Sequence, residues 1–345
     1  MLVDPETRRV TAVADQAQAA NETPTEVGPE LFRHQIETST SPTHDADELE
    51  RALRDGRRAV GEAAAAAGVR AVAVATPPLG PLQDQFTNTP RYLRFEGEFG
   101  QVAREAHVCA MHVHVEVADE AEGVRVLDGI RPWLPFLTAL SANSPYWQER
   151  DTGFASWRSQ VWGRWPAAGP SEPFGDVETY RRVTDSTMAW GGAMDPGMLY
   201  LDARLSESYP TVEVRVADVC VEVEDAVLIA LLARALVDAS ATGPAVGWRA
   251  DLLRVAGWRA ARHGIADDLV HPIERVLVSP REVFAALLDH LGEHLGDDRA
   301  RVESLFTQLL ARGNGAVRQR RRFEEVADLA AVVDDLADAT EASWR

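Results

Sequence analysis

The chain has 345 residues, of which 46% are hydrophobic, and its formal net charge is −19. This length and apolar content predict a globular protein with a substantial core, and the acidic surface argues against nonspecific binding to nucleic acid or anionic membranes. All 35 basic residues are arginine, which excludes Schiff-base chemistry, the lysine-containing phosphate-binding loop and pyridoxal enzymes. Any ATP chemistry must therefore use arginines, backbone amides and metal ions.

The two cysteines and the N-terminus indicate the cellular compartment. Cys109 and Cys220 are the only cysteines, and they lie at the spacing of neither a zinc knuckle nor a redox pair. We therefore expect a reduced, cytoplasmic protein. The N-terminus lacks a basic region followed by an apolar run, and no stretch reaches the ~18 apolar residues of a membrane-spanning helix. The sequence thus predicts a protein that is neither secreted nor embedded in a membrane.

The N-terminal third alternates helix and strand signals. Residues 45–68 predict a helix, with acidic residues at its start, alanines along it and Gly68 at its end. Residues 69–75 predict a short buried strand that ends at Thr76-Pro77-Pro78, and residues 90–105 predict a charged helix.

Residues 107–117 predict a strand with one apolar and one polar face. The odd positions from 109 to 117 are apolar, whereas the even positions include His112, His114 and Glu116. A solvated strand face would explain an isolated pattern of this kind. Neutral histidines and ionised carboxylates are also ligands for divalent metals, so a site for Mg²⁺ or Mn²⁺ bridged to phosphate is the alternative.

The middle of the chain predicts a broken helix and then a long loop region. Residues 119–142 predict a helix that Pro132 and Pro135 kink or break. Residues 143–198 contain five of the nine tryptophans and the pair Gly191-Gly192. We expect this segment to be irregular but ordered, as a functional lid or wall.

The clearest strand of the chain is residues 211–218. Val212, Val214 and Val216 alternate with a polar set that includes Glu213 and Arg215, so one face suits a core and the opposite face suits chemistry or solvent. Together with residues 107–117, this strand predicts a mostly antiparallel sheet that is covered by helices on its valine-rich face and open on its polar face.

The C-terminal part is predicted to be helical from about 224 to 337, with helices at 224–240, 246–263, 280–295 and 297–312 and a last helix that ends near 337. The arginine-rich segment 318–322 is interpreted either as an ordinary helix surface or as a phosphate contact. No linker divides the chain, so we expect a single α+β domain that spans residues 1–345.

Several blocks of the sequence match a known family. They are His34-Gln35-Ile36-Glu37-Thr38, Met111-His112-Val113-His114-Val115, Ala139-Leu140-Ser141-Ala142-Asn143-Ser144-Pro145, Asp151-Thr152-Gly153 with Ser156 and Arg158, and the run from Tyr209 to Asp218. In these blocks the chain resembles the carboxylate-amine ligases of the glutamate-cysteine ligase type 2 family. Their order along residues 34–218 makes the resemblance more specific than any single block.

The resemblance implies a glutamine-synthetase-like catalytic fold, in which a curved, mostly antiparallel sheet forms a half-open polar funnel for ATP and Mg²⁺ or Mn²⁺. It also implies the reaction. ATP phosphorylates a substrate carboxylate, by default the side chain of glutamate, and an amine such as that of cysteine attacks the acyl phosphate. The partners would be amino acids and ATP, and a homo-oligomer is one open alternative for the assembly.

The resemblance further implies roles for particular residues. Glu37, His112 or His114, and Glu213 would be metal ligands, and Arg215 would contact a phosphate or the developing acyl phosphate. Three more residues would bind substrate carboxylate or phosphate, and each has a structural alternative: Arg158, Arg204 and Asn143.

The chain departs from the family pattern at its start. Family members usually carry a strand Gly-Val-Glu-Glu-Glu-Phe just before Leu-Val-Asp-Pro, and glutamates of that strand are metal ligands, whereas this sequence begins at Met1-Leu2-Val3-Asp4-Pro5. We expect that Met1 is an internal methionine codon. If the chain does begin there, the resemblance implies weak or absent activity.

Two alternatives to a ligase follow. The first is a noncatalytic relative that binds nucleotide or amino acid without turnover, which a stop codon directly upstream of Met1 would favour. The second is phosphotransfer to a guanidine, which would give a phosphorylated product without an added amine.

Overall fold

The computed structural model describes residues 1–83, 85–243 and 247–345. Within these ranges the helices are α1 (Ala14–Ala19), α2 (Ala46–Ala66), α3 (Pro90–Phe99), α4 (Gln101–Arg104), α5 (Glu120–Ile130), α6 (Leu134–Ser141), α7 (Trp157–Trp162), α8 (Val177–Ala189), α9 (Val223–Thr242), α10 (Ala250–His263), α11 (Pro280–Leu291), α12 (Arg299–Arg312), α13 (Gly315–Val326) and α14 (Leu329–Ala342). The strands are β1 (Leu2–Val3), β2 (Gly28–Pro29), β3 (Ile36–Glu37), β4 (Arg70–Ala71), β5 (Ala110–Glu116), β6 (Tyr146–Trp147), β7 (Arg150–Asp151), β8 (Ala203–Leu205), β9 (Thr211–Asp218), β10 (Leu269–Val270) and β11 (Leu277–Val278). Short 3₁₀ segments cover Arg131–Trp133, Pro196–Met198 and Gly292–Asp298.

The two longest strands, β5 and β9, form an antiparallel three-stranded sheet with β8, in the order β5-β9-β8. Glu213 in the central strand pairs with His114 on one side and with Arg204 on the other. Directly opposed residues point to the same face of a sheet, so these three side chains share the polar face. Both predicted strands are confirmed, and the mixture of helices and antiparallel strands confirms the α+β class.

The valine-rich face of β9 packs into the largest hydrophobic core. Val212, Val214 and Val216 are buried there, where β9 packs against α5 and α6, and apolar residues of α9 belong to the same core. Burial of each such side chain stabilises the fold by roughly 2 kcal/mol. Helices therefore cover this face of the sheet, as the sequence predicts.

A second, aromatic core borders the polar face. It includes Phe32, Phe95, Trp165 and Tyr200. The Tyr200 ring lies 5.7 Å from the Arg215 guanidinium carbon. The polar face of β9 is therefore covered in part by aromatic side chains.

Local sequence signals explain where several helices begin and break. Asp45 caps α2 by accepting a hydrogen bond from the backbone N–H of Glu48 at 2.8 Å. Pro132 and Pro135 coincide with the 3₁₀ segment that separates α5 from α6. Gly100, at φ +52°, divides the predicted helix 90–105 into α3 and α4, because that backbone conformation suits glycine.

Three predicted segments are corrected. The predicted strand 69–75 is reduced to β4, whose two residues pair with β1. The segment 143–198 is less irregular than expected, because it contains α7 and the 13-residue α8, which Asp176 caps by accepting from Thr179 N–H. The predicted helix 246–263 begins at Ala250, and its residue 246 lies outside the described residues.

Across the part of the chain that the structure describes, no helix has both the length and the apolar character needed to cross a membrane. Cys109 and Cys220 are both free thiols. Cys220 is buried, and burial raises its pKa well above the usual thiol value, so it remains protonated and unreactive.

Candidate functional site

Glu213 is the centre of the polar face. Arg204 donates from Nε to Glu213 Oε2 at 2.8 Å, and Arg215 donates from Nη1 to Oε1. Only 4% of the Glu213 side chain is exposed, compared with 11% for Arg204 and 5% for Arg215. The strands thus bring one buried carboxylate and two nearly buried guanidinium groups into direct contact.

The charges of this cluster do not cancel. Burial opposes the ionisation of Glu213, but Arg215 and Arg204 outweigh burial and hold its pKa below the usual value. Burial lowers the pKa of Arg215 to about 10, despite the opposing effect of Glu213. At neutral pH two guanidinium groups therefore face a single carboxylate. This excess of positive charge suits a bound anion.

Arg215 also has an unused donor. Its Nε is buried, and no hydrogen-bond partner for it lies among the described residues. The guanidinium carbon lies 5.8 Å from the Trp162 ring centre and 5.7 Å from the Tyr200 ring centre, so aromatic faces contribute to its environment. A buried donor without a partner costs free energy that a ligand could recover.

Two histidines of β5 form the solvent-exposed side of the cluster. His112 Nδ1 lies 3.2 Å from Glu213 Oε1, and His114 Nε2 lies 3.9 Å from the same oxygen. Their side chains are 34% and 38% exposed, whereas Glu213 is almost inaccessible. The site is therefore reached from the side of β5.

Both histidines are held neutral. The pKa of His112 lies well below the usual value, first because neighbouring protein atoms desolvate the ring and then because Arg215 and other arginines repel a proton. Desolvation also lowers the pKa of His114, although Glu213 opposes the shift. If His112 Nδ1 donates to Glu213, its Nε2 keeps a lone pair for a metal or a proton.

A pair of glutamates lies near this cluster. Burial raises the pKa of Glu37 to about 7, and the charges of Glu30 and Glu26 add to the shift. Burial also raises the pKa of Glu30, which the charges of Arg215 and Arg91 oppose. Glu37 still contacts solvent, so the desolvation reflects a concave surface rather than an enclosed interior. Repulsion between neighbouring carboxylates is what a divalent cation would relieve.

Glu30 was missed by sequence reasoning. It stands directly after Pro29, where no periodic strand or helix marks it. Its Oε2 accepts a hydrogen bond from its neighbour's backbone, Leu31 N–H, at 2.8 Å. Its position seven residues before Glu37 was the only feature of the sequence that could have indicated a role at the site. The tertiary structure brings the two carboxylates together.

At its far end, β9 carries a second buried carboxylate, Asp218. It accepts hydrogen bonds from Asn143 N–H at 2.8 Å and from the hydroxyls of Ser144 and Ser156 at 2.7 Å each. Burial raises the pKa of Asp218, with Arg158 as the strongest opposing influence. These contacts tie the loop after α6 and the start of α7 to the sheet.

Asn143 and Arg158 belong to this structural region. Asn143 is fully buried; its Nδ2 donates to the carbonyls of Ala73 and Val219, and its Oδ1 accepts from Gln319. Arg158 is 1% exposed and donates to the carbonyl oxygens of residues 215 and 216. Both residues therefore lie among buried partners rather than beside the exposed histidines of β5. Their roles as substrate contacts stay predictions.

The arginine-rich segment of α13 is a helix surface. Arg318 pairs with Glu222, and Arg320 makes a two-point contact with Asp151 at 2.9 and 2.7 Å. These pairs favour the first of the two interpretations of residues 318–322, because the charges are neutralised by the protein itself.

Only some of the residues proposed for metal binding lie close together. His112, His114 and Glu213 lie together, whereas Glu37 lies on β3 beside Glu30. Within residues 1–83, 85–243 and 247–345, no group of three or more histidine, cysteine, aspartate or glutamate side chains is arranged to hold a metal ion. The donors still fit a divalent cation in their chemistry, since they are carboxylates and a neutral imidazole.

Comparisons with known proteins place the chain in a family. The family model of glutamate-cysteine ligase family 2 matches residues 1–334. A protein of Nocardioides sp., provisionally named glutamate–cysteine ligase 2-1, is 46% identical over 366 residues, which cover 100% of this chain and 95% of that protein. A protein of Frankia alni, provisionally named glutamate–cysteine ligase 2-2, is 44% identical and covers 97% of this chain and 93% of its own length.

A solved structure with the same fold is among the matches. It is the glutamate–cysteine ligase of Francisella tularensis in complex with AMP, with a TM-score of 0.59 and 13% sequence identity, and the match covers 100% of this chain and 91% of that chain. At this identity the likeness concerns the fold.

Proposed function

Because the chain belongs to glutamate-cysteine ligase family 2, we propose that it is an ATP-dependent carboxylate-amine ligase, with glutamate and cysteine as the default substrates. ATP phosphorylates the side-chain carboxylate of glutamate, and the amine of cysteine attacks the acyl phosphate. The products are γ-glutamylcysteine, ADP and phosphate. The Francisella structure, which shares the fold, is a complex with AMP, and this supports nucleotide binding by the present chain.

The observation that carries this proposal is the excess positive charge around Glu213. Negative charge develops on a phosphoryl group during transfer, and fixed cationic donors in a poorly hydrated site stabilise it most effectively. Arg215 and Arg204 are held in place by Glu213, and Arg215 Nε is an unused buried donor. We assign Arg215 to the transferring phosphoryl group and Arg204 to a supporting contact.

The family implies Mg²⁺ or Mn²⁺, and the donor types present, carboxylates and neutral imidazoles, suit such an ion. Glu37, His112, His114 and Glu213 keep their proposed roles as metal-binding residues, and we add Glu30 because its carboxylate neighbours that of Glu37. A divalent cation, when bound here, would neutralise phosphate charge and relieve the repulsion between these carboxylates. In this assignment Glu213 orients His112 and fixes the arginines. We further propose that the sheet curves into a funnel within one catalytic domain.

The test is ADP release with Mg²⁺, glutamate and a panel of amines. Both the 345-residue chain and a form that carries Gly-Val-Glu-Glu-Glu-Phe ahead of Met1 should be assayed. We expect amine-dependent ADP release with glutamate and cysteine from at least one form. The matched control is Arg320→Gln, which removes a surface arginine outside the site and should leave the rate unchanged.

Two other results would replace the ligase proposal. Nucleotide binding without ADP release from either form would identify a noncatalytic relative. ADP release that yields a phosphorylated guanidine and needs no amine would identify a phosphotransferase.

A further inference from the structure

Arg91, at the start of α3, presents a partly exposed guanidinium group that neighbouring side chains hold in place. Asp195 accepts from its Nε at 2.9 Å and from its Nη2 at 3.0 Å. The guanidinium carbon also lies 4.9 Å from the Phe95 ring centre. Asp195 is itself anchored, because its Oδ1 accepts from Met198 N–H at 3.1 Å. The side chain of Arg91 is therefore held in one orientation before any ligand arrives.

The solvent exposure of its side chain distinguishes Arg91 from Arg204 and Arg215. Its side chain is 43% exposed, whereas those of Arg204 and Arg215 are 11% and 5% exposed. Asp195 uses two of the three guanidinium nitrogens of Arg91, and the Tyr92 hydroxyl also interacts with this guanidinium group. Arg91 is thus the guanidinium of this group that a solute can reach most readily.

Electrostatic contacts connect Arg91 with the proposed catalytic cluster. The charges of Arg91 and Arg215 both act on Glu30 and on the hydroxyl of Tyr200. The Tyr200 ring lies 5.7 Å from the guanidinium carbon of Arg215. Glu30 and Tyr200 therefore lie within electrostatic reach of both arginines. Arg204 donates from Nη1 to the carbonyl oxygen of Pro196 at 2.6 Å, next to Asp195 in the chain, so the Arg91–Asp195 pair lies beside the cluster around Glu213.

The hydroxyl of Tyr92 supplies a second donor at the same place. The Tyr92 ring centre lies 5.7 Å from the guanidinium carbon of Arg91. Burial raises the pKa of Tyr92 to about 12, and the charge of Glu30 adds to this shift. The hydroxyl therefore stays protonated at neutral pH and can donate a hydrogen bond.

The local charge favours a zwitterion over a polyphosphate. Arg91 is balanced by Asp195 and lies near the charge of Glu30, so a triphosphate would meet repulsion here that it does not meet beside Arg204 and Arg215. A single carboxylate with a nearby ammonium group matches this mixed environment, because guanidinium and hydroxyl donors bind carboxylate oxygens well.

We propose that Arg91, held by Asp195 and assisted by the Tyr92 hydroxyl, binds the α-carboxylate of an amino-acid substrate and so selects amino acids over simple amines or simple carboxylic acids. The proposal rests on the ligase function proposed above. Arg91 would touch the substrate away from the reacting groups, so its removal should raise KM far more than it lowers kcat.

The test compares Arg91→Gln with wild type on substrates that possess or lack the α-carboxylate. Glutamate is compared with 4-aminobutanoate, and cysteine is compared with cysteamine. Loss of a charge-assisted contact should raise KM about 10- to 100-fold for one intact amino acid. The variant should leave KM almost unchanged for the analogue without the α-carboxylate. KM for ATP should also stay unchanged. Arg94→Gln on the same helix is the matched control, and Arg91→Lys should recover part of the affinity.

The two substrate pairs identify which amino acid Arg91 binds. A rise in KM for glutamate alone would place Arg91 in the site of the carboxylate substrate. A rise in KM for cysteine alone would place it in the site of the amine substrate. Equal increases for amino acids and their analogues, or no increase, would overturn the proposal.

Calorimetry of glutamate and cysteine binding distinguishes a failure of the Arg91 proposal from a failure of the proposed ligase function. A wild type without turnover would contradict the ligase, while selective loss of amino-acid binding in Arg91→Gln would still support the site. A wild type that neither binds nor converts an amino acid would overturn both.

Discussion

Two buried carboxylates lie on the same strand, yet their surroundings differ. Asp218 accepts hydrogen bonds from a backbone N–H and two serine hydroxyls, whereas Glu213 is contacted by two guanidinium groups and faces two partly exposed histidines. Burial raises the pKa of Asp218. At Glu213 burial acts in the same direction, but the arginines outweigh it and lower the pKa.

This contrast separates a structural carboxylate from a candidate functional one. Asp218 is held by three neutral donors and by the nearby charge of Arg158, and it has no exposed surface for a ligand. The groups around Glu213 carry more positive charge than one carboxylate neutralises and are reached by solvent through His112 and His114. Burial alone therefore does not identify a site. The useful criteria are uncompensated charge and a path from solvent.

The largest expected effect is on stability at Asp218. Asp218→Asn should lower the free energy of unfolding by about 3 kcal/mol, because it replaces an acceptor with a donor and leaves the buried charge of Arg158 without its nearest anion. Urea denaturation followed by circular dichroism measures the change. The control Asp251→Asn alters an exposed carboxylate and should change stability by less than about 0.5 kcal/mol. An Asp218→Asn protein as stable as wild type would show that Asp218 does not have a structural role.

At Glu213 the expected effect is on ligand binding and turnover. Glu213→Gln should weaken metal-nucleotide binding and lower turnover about 10- to 100-fold, because His112 and Arg215 lose the carboxylate that orients them. Any accompanying loss of stability should be reversed by phosphate, which can reach the freed guanidinium groups. Phosphate should not rescue Asp218→Asn. Unchanged nucleotide affinity, measured by calorimetry, would give Glu213 the same structural role as Asp218.

The smallest expected effect is a pH dependence at Glu37, whose pKa is about 7 compared with 4.5 for a free glutamate. The unfolded chain ionises first as pH rises, so this group makes the free energy of unfolding fall as pH rises from about 4.5 to about 7, and the loss persists at higher pH. A bound cation needs the ionised form, so the Mn²⁺-induced rise in Tm should be a few degrees larger at about pH 8 than at about pH 6. Glu37→Gln should abolish the difference. An equal shift in wild type at both pH values would show that Glu37 does not bind the ion.

Sequence reasoning was most successful where periodicity was strong. The alternation at residues 107–117 and 211–218 predicted both long strands and placed His114 and Glu213 on polar faces. The observed register then pairs Glu213 with His114 of β5 and with Arg204 of β8, a strand that was not predicted. The loop interpretation of residues 143–198 was less successful, because tryptophans and glycines obscured the helical pattern of α8. Glu30 and Arg91 were missed because neither belongs to a periodic element that points to the site.

The amino-acid sequence alone establishes which chemical groups the protein has: arginine as its basic residue, paired histidines on one strand and a carboxylate beside an arginine on another. It also establishes membership of the family. Which of these groups come into contact depends on the tertiary fold. Asn143 and Arg158 contact backbone carbonyls and other buried partners. Glu30 and Arg91 belong to segments distant in sequence from β9, yet both lie within electrostatic reach of its polar face. The physical reason is that periodicity fixes the face on which a side chain lies, whereas burial and charge neutralisation depend on segments that meet only when the chain folds.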